Sequence, residues 1–152
     1  MEIVHLDRSN ESTNTIYKFI NENECLLPDP FSSHVDLFQY SEKLGTKAET
    51  FISLDNGNVQ GLVSGYINDF NKKEAYLQIL IVKKEYQGKK VGGKLIRSFL
   101  AETMQILGKG AVVYLTVDVL NENAINFYNH VGFSRSERKH SNINKMILSC
   151  RV

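Results

Sequence analysis

The sequence predicts a mixed α/β (α+β) fold, with helices on both faces of a sheet. The predicted order of elements, β-α-α-β-β-β-α-β-α-β-β, is typical of that class. In residues 75–107, an apolar run of strand length enters a turn rich in lysine and glycine and then a long amphipathic helix. The length of 152 residues, with no repeat or linker, predicts one domain that spans residues 1–152.

The first third of the chain is expected to form a short strand and two helices. The strand is predicted at residues 2–6 and the first helix at residues 15–21, with candidate N-caps at Ser9, Asn10 and Ser12. Residues 28–30, Pro-Asp-Pro, break that helix. The second helix is predicted at residues 33–44, with Gly45 as its stop. Its inward face is expected to comprise Val35, Leu37, Phe38 and Leu44.

Three strands are predicted in the middle of the chain. Residues 50–54 and 59–70 flank the sequence Asp-Asn-Gly-Asn at 55–58, which is typical of a tight hairpin. The third strand, residues 75–82, is apolar at almost every position, so we expect both of its faces to be largely buried. Simple alternation assigns one face to Ala75, Leu77, Ile79 and Ile81, and the other to Leu80 and Val82.

The second half of the chain is predicted to hold a long helix, a strand, a short helix and two closing strands. The long helix ends before Gly108 and Gly110. Its apolar face comprises Val91, Leu95, Phe99, Leu100, Met104 and Leu107. The elements that follow are predicted at residues 111–119, 124–131, 133–135 and 144–148, with Gly132 as the stop of the short helix.

Composition and charge argue against several classes of function. Eighteen basic and 17 acidic residues leave a formal net charge of +1, which provides no overall field to attract nucleic acid or a membrane surface. Cys25 and Cys150 are too few for a disulfide framework or a zinc site, and neither lies beside a recognisable base. The sequence contains no signal-peptide pattern and no apolar run of spanning length, so a cytoplasmic protein without a metal is predicted.

The turn after the third strand predicts an anion site suited to phosphate, because a helix N-terminus offers free N–H groups and the positive end of its dipole. Lysines crowd it: Lys83, Lys84, Lys89, Lys90 and Lys94. Residues 88–95 nearly match the P-loop of nucleotide hydrolases, but Leu95 stands where a magnesium-binding hydroxyl is required. The glycines do not fit the dinucleotide fingerprint. The alternative is a solvated, lysine-rich helix start.

Two stretches carry a family resemblance. IVKKEYQGKKVGGKL at residues 81–95 resembles the acetyl-CoA signature of the GNAT acetyltransferase superfamily, (Gln/Arg)-x-x-Gly-x-(Gly/Ala) after a strand. Gln87 and Gly92 occupy its first and last positions, whereas Lys90 replaces its first glycine. NENAINFY at residues 121–128, followed by Val-Gly-Phe, is similar to the family's Asn-x-x-Ala-x-x-x-Tyr and Gly-Phe segment. The resemblance covers residues 59–148.

The resemblance implies a single-domain, mixed and mostly antiparallel central sheet flanked by about four helices. It also implies acetyl-CoA as a cosubstrate, with the pyrophosphate at the glycine turn and the pantetheine arm beside the central strand. The implied cofactor-binding residues are Leu80, Ile81, Val82, Gln87, Gly88, Lys89, Lys90, Val91, Gly92, Gly93, Lys94 and Asn121.

Two residues of the second stretch have two interpretations each. Asn121 either caps the short helix or contacts the cofactor. Tyr128 is either a core residue among apolar neighbours at helical spacing or, as the resemblance implies, the catalytic general acid to the CoA thiolate. The base is open, because Tyr76 or Gln78 and Thr116 stand where many relatives carry a glutamate. The remaining candidates are Glu74, Asp118, Glu122 and His34.

The predicted function is transfer of an acetyl group from acetyl-CoA to a primary amine of a small molecule or protein, by direct attack in a ternary complex of a monomer or homodimer. The alternative is a non-catalytic acyl-CoA-binding or sensing protein on the same fold, which the missing strand carboxylate favours. A nucleotide hydrolase is a third hypothesis. The net charge does not discriminate between a polyamine, an aminoglycoside, an amino sugar and a protein N-terminus as acceptor.

Overall fold

The computed structural model describes residues 1–26 and 36–152, in which seven strands form one sheet and four α-helices pack on it. The strands are β1 (Glu2–His5), β2 (Glu49–Asp55), β3 (Asn58–Asp69), β4 (Glu74–Val82), β5 (Val112–Asp118), β6 (Ser134–Arg135) and β7 (Lys145–Arg151). The helices are α1 (Asn10–Glu22), α2 (Leu37–Lys47), α3 (Val91–Leu107) and α4 (Glu122–His130). Short 3-10 turns occupy Glu24–Leu26 and Lys84–Tyr86.

The sheet has the order β1-β2-β3-β4-β5-β7-β6. Every neighbouring pair is antiparallel except β4 and β5, which are parallel. The predicted mixed, mostly antiparallel sheet with about four helices is therefore confirmed. The predicted hairpin at residues 55–58 is also present, since Asn56 and Gly57 both have positive φ, at 50° and 78°, as a tight turn between twisted strands requires.

Strand β4 carries a bulge at Gln78. Ser64 of β3 pairs with Ile79, yet the next residue, Gly65, pairs with Leu77, so that Gln78 is an extra residue on β4. The two strands approach closely here: a Cβ on Gly65 would lie 2.4 Å from a carbonyl oxygen of β4. Because of the extra residue, side chains that would share one face of the sheet under strict alternation point to opposite faces before and after the bulge.

The bulge divides the apolar residues of β4 between two cores. Ala75 and Leu77 pack in the core that contains α3, whereas Ile79 and Ile81 pack in the core that contains α1 and α2. The prediction that these four residues share one face is wrong, because strict alternation holds only where the ladder has no extra residue.

Helix α2 differs from its prediction in its bounds and at two positions: it begins at Leu37, after the Asp36 N-cap, and runs to Lys47. Gly45 lies within the helix rather than at its stop, and a Cβ there would lie 2.4 Å from the Thr13 Oγ1 of α1, so glycine allows the two helices to pack closely. Phe38, expected inward, is 43% exposed. The predicted break at residues 28–30 and the predicted helix start at residues 33–35 lie outside the described residues.

Helix α1 begins earlier than predicted, because Ser9 is its N-cap and accepts a hydrogen bond from the Ser12 N–H at 3.1 Å. Helix α3 runs to Leu107, and Gly108 ends it with a φ of 92°, as predicted. Met104, expected on the apolar face of α3, is 47% exposed.

Candidate active site

The main cavity opens where β4 and β5 separate. Their parallel ladder contains three residue pairs and ends at Tyr76 and Tyr114, although both strands continue. A cavity of about 1000 Å³ lies in the gap, at the upper end of the ~300–1,000 Å³ usual for ligand pockets. The facing edges form no ladder beyond that pair in the described sheet, which opens backbone groups to a ligand. One exception is the Val82 carbonyl oxygen, which accepts a hydrogen bond from the Gln87 Nε2 at 3.0 Å.

The β4 face that borders this cavity is only half-buried. Leu80 and Val82 line the cavity, and Gln78 beside them is exposed. The expectation that both faces of the strand are largely buried is therefore wrong beyond the bulge. A strand can be apolar on its second face because a ligand, rather than the protein's own side chains, covers it.

The turn before α3 contributes a further wall of the cavity. Gln87, Gly88 and Lys90 line the cavity, as do the first helical residues, Val91, Gly92 and Gly93. Helix α3 begins at Val91, so the N–H groups of its first turn have no intrahelical acceptors. They form an anion-binding arrangement beside an open cavity.

Lys90 has an unusual backbone for its residue type. It is the N-cap of α3, with φ 68° and ψ 9° in the left-handed region, and its side chain makes no capping hydrogen bond. This is the position at which the family signature has its first glycine. The left-handed conformation is unfavourable for residues with a Cβ and neutral for glycine, so Lys90 adopts a conformation that favours glycine.

We expect Lys90→Gly to stabilise the fold by about 1 kcal/mol, because glycine removes the left-handed strain. If acetyl-CoA is the ligand that the resemblance implies, the same change should weaken its binding a few-fold through loss of a cavity-lining charge. Chemical denaturation and calorimetry measure the two effects. Lys89→Gly is the matched control: Lys89 has no positive φ, so glycine there should only destabilise. Equal loss of stability in both variants would contradict the strain argument.

Most of the predicted site residues lie together around the cavity. Those that line it are Leu80, Val82, Gln87, Gly88, Lys90, Val91, Gly92, Gly93, Asn121 and Tyr128. Three predicted residues do not line it in the described structure. Ile81 is 3% exposed and its side chain packs in the α1–α2 core. Lys94 is exposed on α3, and the Lys89 Nζ lies 5.9 Å from the centre of the Tyr86 ring.

Other residues line the cavity that the sequence did not single out, among them Arg97, Phe127, His130 and Lys145. Arg97 lies four positions after Gly93 on α3, so helical spacing from the glycine turn is a signal that could have found it. His130 and Lys145 reach the cavity from the end of α4 and the start of β7. No local pattern predicts them.

Asn121 caps helix α4 and also lines the main cavity. Its Oδ1 accepts a hydrogen bond from the Ala124 N–H at 3.2 Å, so the predicted N-cap of α4 is present. The side-chain amide nitrogen takes no part in the capping bond, and contact with a cofactor remains a prediction.

Tyr128 belongs to both the packing and the cavity wall. Its ring makes edge-on contacts with Phe127 and Phe133, at centroid distances of 5.2 and 5.7 Å. Burial raises the pKa of Tyr128 to about 12, so the hydroxyl keeps its proton across the physiological pH range. Among the described residues none is hydrogen-bonded to this hydroxyl, which leaves it available to a ligand in the cavity.

The candidate bases are in different settings. Asp118 lines the cavity, and its Oδ2 lies 3.8 Å from the Lys145 Nζ. Glu74 is hydrogen-bonded to Arg138 and to the Tyr76 hydroxyl. Glu122 is exposed and does not line the cavity, and His34 lies outside the described residues.

One group of potential metal ligands lies elsewhere. His5, Glu49 and Glu102 bring ligand atoms within 4.8 Å of one another. Arg8 and His5 both contact the Glu49 carboxylate, so a guanidinium already compensates its charge. None of these residues lines the main cavity.

No helix in the described part of the chain has the length and apolar character that a membrane span requires.

The cavity, its helix N-terminus and the mixed sheet can be compared with known proteins. The acetyltransferase (GNAT) family model matches residues 15–133. N-alpha-acetyltransferase 30 from Schizosaccharomyces pombe (strain 972) is 32% identical over 91 residues, which cover 59% of this chain and 59% of that protein. The chain thus matches less than two thirds of that relative's length.

Solved structures share the fold at low sequence identity. Aminoglycoside 6'-acetyltransferase type Ii superposes with a TM-score of 0.78 at 14% identity, covering 99% of this chain and 97% of that one. The PaiA N-acetyltransferase from Thermoplasma acidophilum, solved with coenzyme A, gives 0.71 at 15% identity, with 100% of both chains covered. The resemblance found in the sequence is confirmed. The chain belongs to the GNAT acetyltransferase family.

Proposed function

We propose that the chain transfers the acetyl group of acetyl-CoA to a primary amine of a small molecule or protein, by direct attack in a ternary complex. One observation carries this proposal: a single cavity is lined by the N-terminus of α3, the free edge of β4 and the Tyr128 side chain. These are the three groups that a bound acyl-CoA thioester needs, for its phosphates, its pantetheine arm and its leaving sulfur.

The proposed binding mode follows from the chemical character of the residues that line the main cavity. The pyrophosphate accepts hydrogen bonds from the first N–H groups of α3, with Lys90 and Arg97 adding positive charge. The pantetheine amides pair with the open edge of β4, where Leu80 and Val82 provide apolar contact. Ile81 takes part only through its backbone, because its side chain is in the other core. Lys89 and Lys94 supply charge near the turn rather than direct contact.

The proposed reaction balances without a cofactor beyond acetyl-CoA. The amine attacks the thioester carbonyl carbon as the free base, the C–N bond forms and the C–S bond breaks. A backbone N–H on the open edge of β4 stabilises the oxyanion, a contribution often worth ~3 kcal/mol per donor. The nitrogen loses one proton and the departing sulfur gains one, so the products are an acetylated amine and free CoA.

Tyr128 acts in this proposal as a hydrogen-bond donor to the departing sulfur. Its pKa of about 12 lies above the ~8.5 of a free thiol, so complete transfer of its proton to a thiolate is unfavourable unless another proton replaces it. The proton that the nitrogen loses is that replacement. The phenol thus relays a proton and does not remain ionised.

Ligand binding provides the first test. At a hundredfold excess over Kd, acetyl-CoA should stabilise the native state by ~2.7 kcal/mol. We expect a rise in Tm of about 5–10 °C, because ~1 kcal/mol shifts a domain of this size by ~2–4 °C. ATP with magnesium should give a much smaller shift, since Leu95 offers no metal ligand. An equal shift with ATP would refute the acetyl-CoA assignment.

The second candidate function is a non-catalytic acyl-CoA sensor. One observation favours it: in the described structure Gln78 and Thr116, which are not carboxylates, stand where a base would face the acceptor, and Asp118, which lines the main cavity, lies 3.8 Å from the Lys145 Nζ. Release of free CoA in the presence of a panel of amines separates the two functions. A sensor binds acetyl-CoA and gives no release above the rate of spontaneous hydrolysis.

A further inference from the structure

A second, smaller cavity adjoins the first where β4 and β5 separate. Its volume is about 140 Å³. Gln78 and Thr116 line both cavities, so the two adjoin at these residues. The remaining wall consists of Tyr76, Leu77, Tyr114, Leu115, Arg138 and Ile147. A group in the second cavity would therefore lie close to the carbonyl end of a thioester held in the first.

Arg138 is held in place by three groups. One terminal nitrogen donates to the Glu74 Oε2 at 3.0 Å and to the Tyr76 hydroxyl at 3.1 Å, and the other donates to the Glu74 Oε1. The guanidinium carbon lies 4.0 Å from the centre of the Tyr114 ring. These hydrogen bonds lower the pKa of Glu74 from its usual value, so the pair stays ionised at neutral pH.

The guanidinium keeps unused donors at the cavity. Arginine has five N–H donors, of which the contacts with Glu74 and Tyr76 engage three. The Glu74 carboxylate compensates its charge, so the free donors suit a neutral oxygen, such as a carbonyl, as well as an anion. Because the Arg138 side chain is already held in place, it loses little conformational entropy when a ligand binds to it.

The charge and size of this cavity disfavour polycationic acceptors. No carboxylate lines it in the described structure, and Glu74 beside it already binds Arg138. A polyamine would bring further positive charges towards a guanidinium. At 140 Å³, below the ~300–1,000 Å³ of pockets that enclose drug-sized ligands, the cavity admits only one end of an acceptor. The further amines of an aminoglycoside would, like those of a polyamine, lie near the guanidinium.

We propose that the second cavity is the acceptor subsite and that Arg138 is a specificity-determining residue, which donates a hydrogen bond to a carbonyl oxygen next to the reacting amine. The acceptor class is the α-amine of a peptide, which has one positive charge, a carbonyl two bonds from the nitrogen and a single side chain to place in the cavity. This inference rests on the proposed acetyl transfer and deepens it.

The test compares three acceptors with acetyl-CoA: trialanine amide, propylamine and spermidine. Wild-type kcat/KM should be highest for the peptide and lowest for spermidine. The double variant Glu74→Gln/Arg138→Gln replaces the ion pair with neutral amides. In this variant the ratio of kcat/KM for the peptide to kcat/KM for propylamine should fall about tenfold, mainly through a higher KM for the peptide. Arg138→Lys should lose the ratio as well, because an ammonium lacks the planar fork. Arg135→Gln, exposed on β6 and outside both cavities, is the control.

Three outcomes overturn the proposal. The first is a wild type with its highest kcat/KM for spermidine, and the second is an equal loss of kcat/KM for the peptide and for propylamine in the variants. The third is an Arg138→Lys variant that leaves the peptide-to-propylamine ratio of kcat/KM unchanged. A structural role of Arg138 would give the equal loss and a lower Tm. If no amine is acetylated, titration of trialanine amide into the CoA complex by NMR decides. Binding that Arg138→Lys weakens supports the subsite while refuting the transfer, and absence of binding refutes the subsite itself.

Discussion

Gly92→Glu is expected to raise the Kd for acetyl-CoA at least hundredfold. Gly92 lies in the first turn of α3 and lines the main cavity. A Cβ there would lie 3.2 Å from the Phe127 Cζ and 3.6 Å from the Val82 Cγ2, so a side chain starts in the gap between opposite walls. The helix N-terminus would then hold the protein's own carboxylate in place of the phosphate.

The expected rise in the Kd for acetyl-CoA follows from the charge of the Glu side chain as well as from its bulk. Two like charges ~4 Å apart at an effective dielectric constant of ~20 repel by roughly 4 kcal/mol, and ~1.4 kcal/mol corresponds to a tenfold change in affinity. Gly92→Gln has the same shape without the charge and should lose less affinity than Gly92→Glu. Moving the Phe127 ring by a few tenths of an ångström should cost about 1 kcal/mol of stability, so the variant should stay folded.

Isothermal calorimetry on the folded variants measures the effect, with Tm as the control for folding. If Gly92→Glu binds acetyl-CoA as tightly as the wild type, the anion site is not at the start of α3. Equal affinities for the Glu and Gln variants would mean that bulk alone, and not charge at the helix N-terminus, governs binding.

Much of the fold could be predicted because local patterns determine it. The helical spacing of apolar residues predicted α3, and the glycines after Leu107 predicted its end. The Asn-Gly pair at residues 56–57 predicted the β2–β3 hairpin, in which both residues have positive φ. The order of strand, glycine turn and helix start was equally readable, because the three follow one another along the chain, whereas phosphate binding at that turn stays a prediction.

The bulge in β4 could not be predicted, because its cause is in another strand. Gly65 of β3 approaches β4 closely, and Gln78 becomes an extra residue only in that pairing. The apolar alternation of β4 gives no sign of it. The consequence is functional, since the bulge brings Gln78 to the gap between β4 and β5 and divides the strand between two cores.

The second cavity could not be predicted from the sequence either. Arg138 and Glu74 are 64 residues apart, and only the order of β4, β5 and β7 in the sheet brings them together. The sequence places Glu74 among the candidate bases and gives no sign of the guanidinium that engages it. An ion pair between residues this distant leaves no spacing pattern in a single sequence.

Tyr128→Phe is expected to lower kcat between about ten- and a hundredfold, with the Kd for acetyl-CoA and the Tm nearly unchanged. The ring contacts with Phe127 and Phe133 survive in phenylalanine, so packing is preserved and only the oxygen is removed. Proton transfer by a positioned side chain commonly contributes ~10²–10⁴-fold. The expected effect lies at or below the lower end of that range, because a thiolate with a pKa of ~8.5 can leave without full protonation.

The pH dependence distinguishes this role from a purely structural one. Because burial raises the pKa of Tyr128 to about 12, the phenol keeps its proton up to about pH 11, so wild-type kcat should not fall through ionisation of Tyr128 between pH 7 and 10. Tyr17→Phe, on α1 and outside both cavities, is the matched control and should leave kcat unchanged. An unchanged kcat in Tyr128→Phe would exclude the proton-donating role and leave Tyr128 as a packing residue, whereas loss of kcat at constant Tm places its hydroxyl at the departing sulfur.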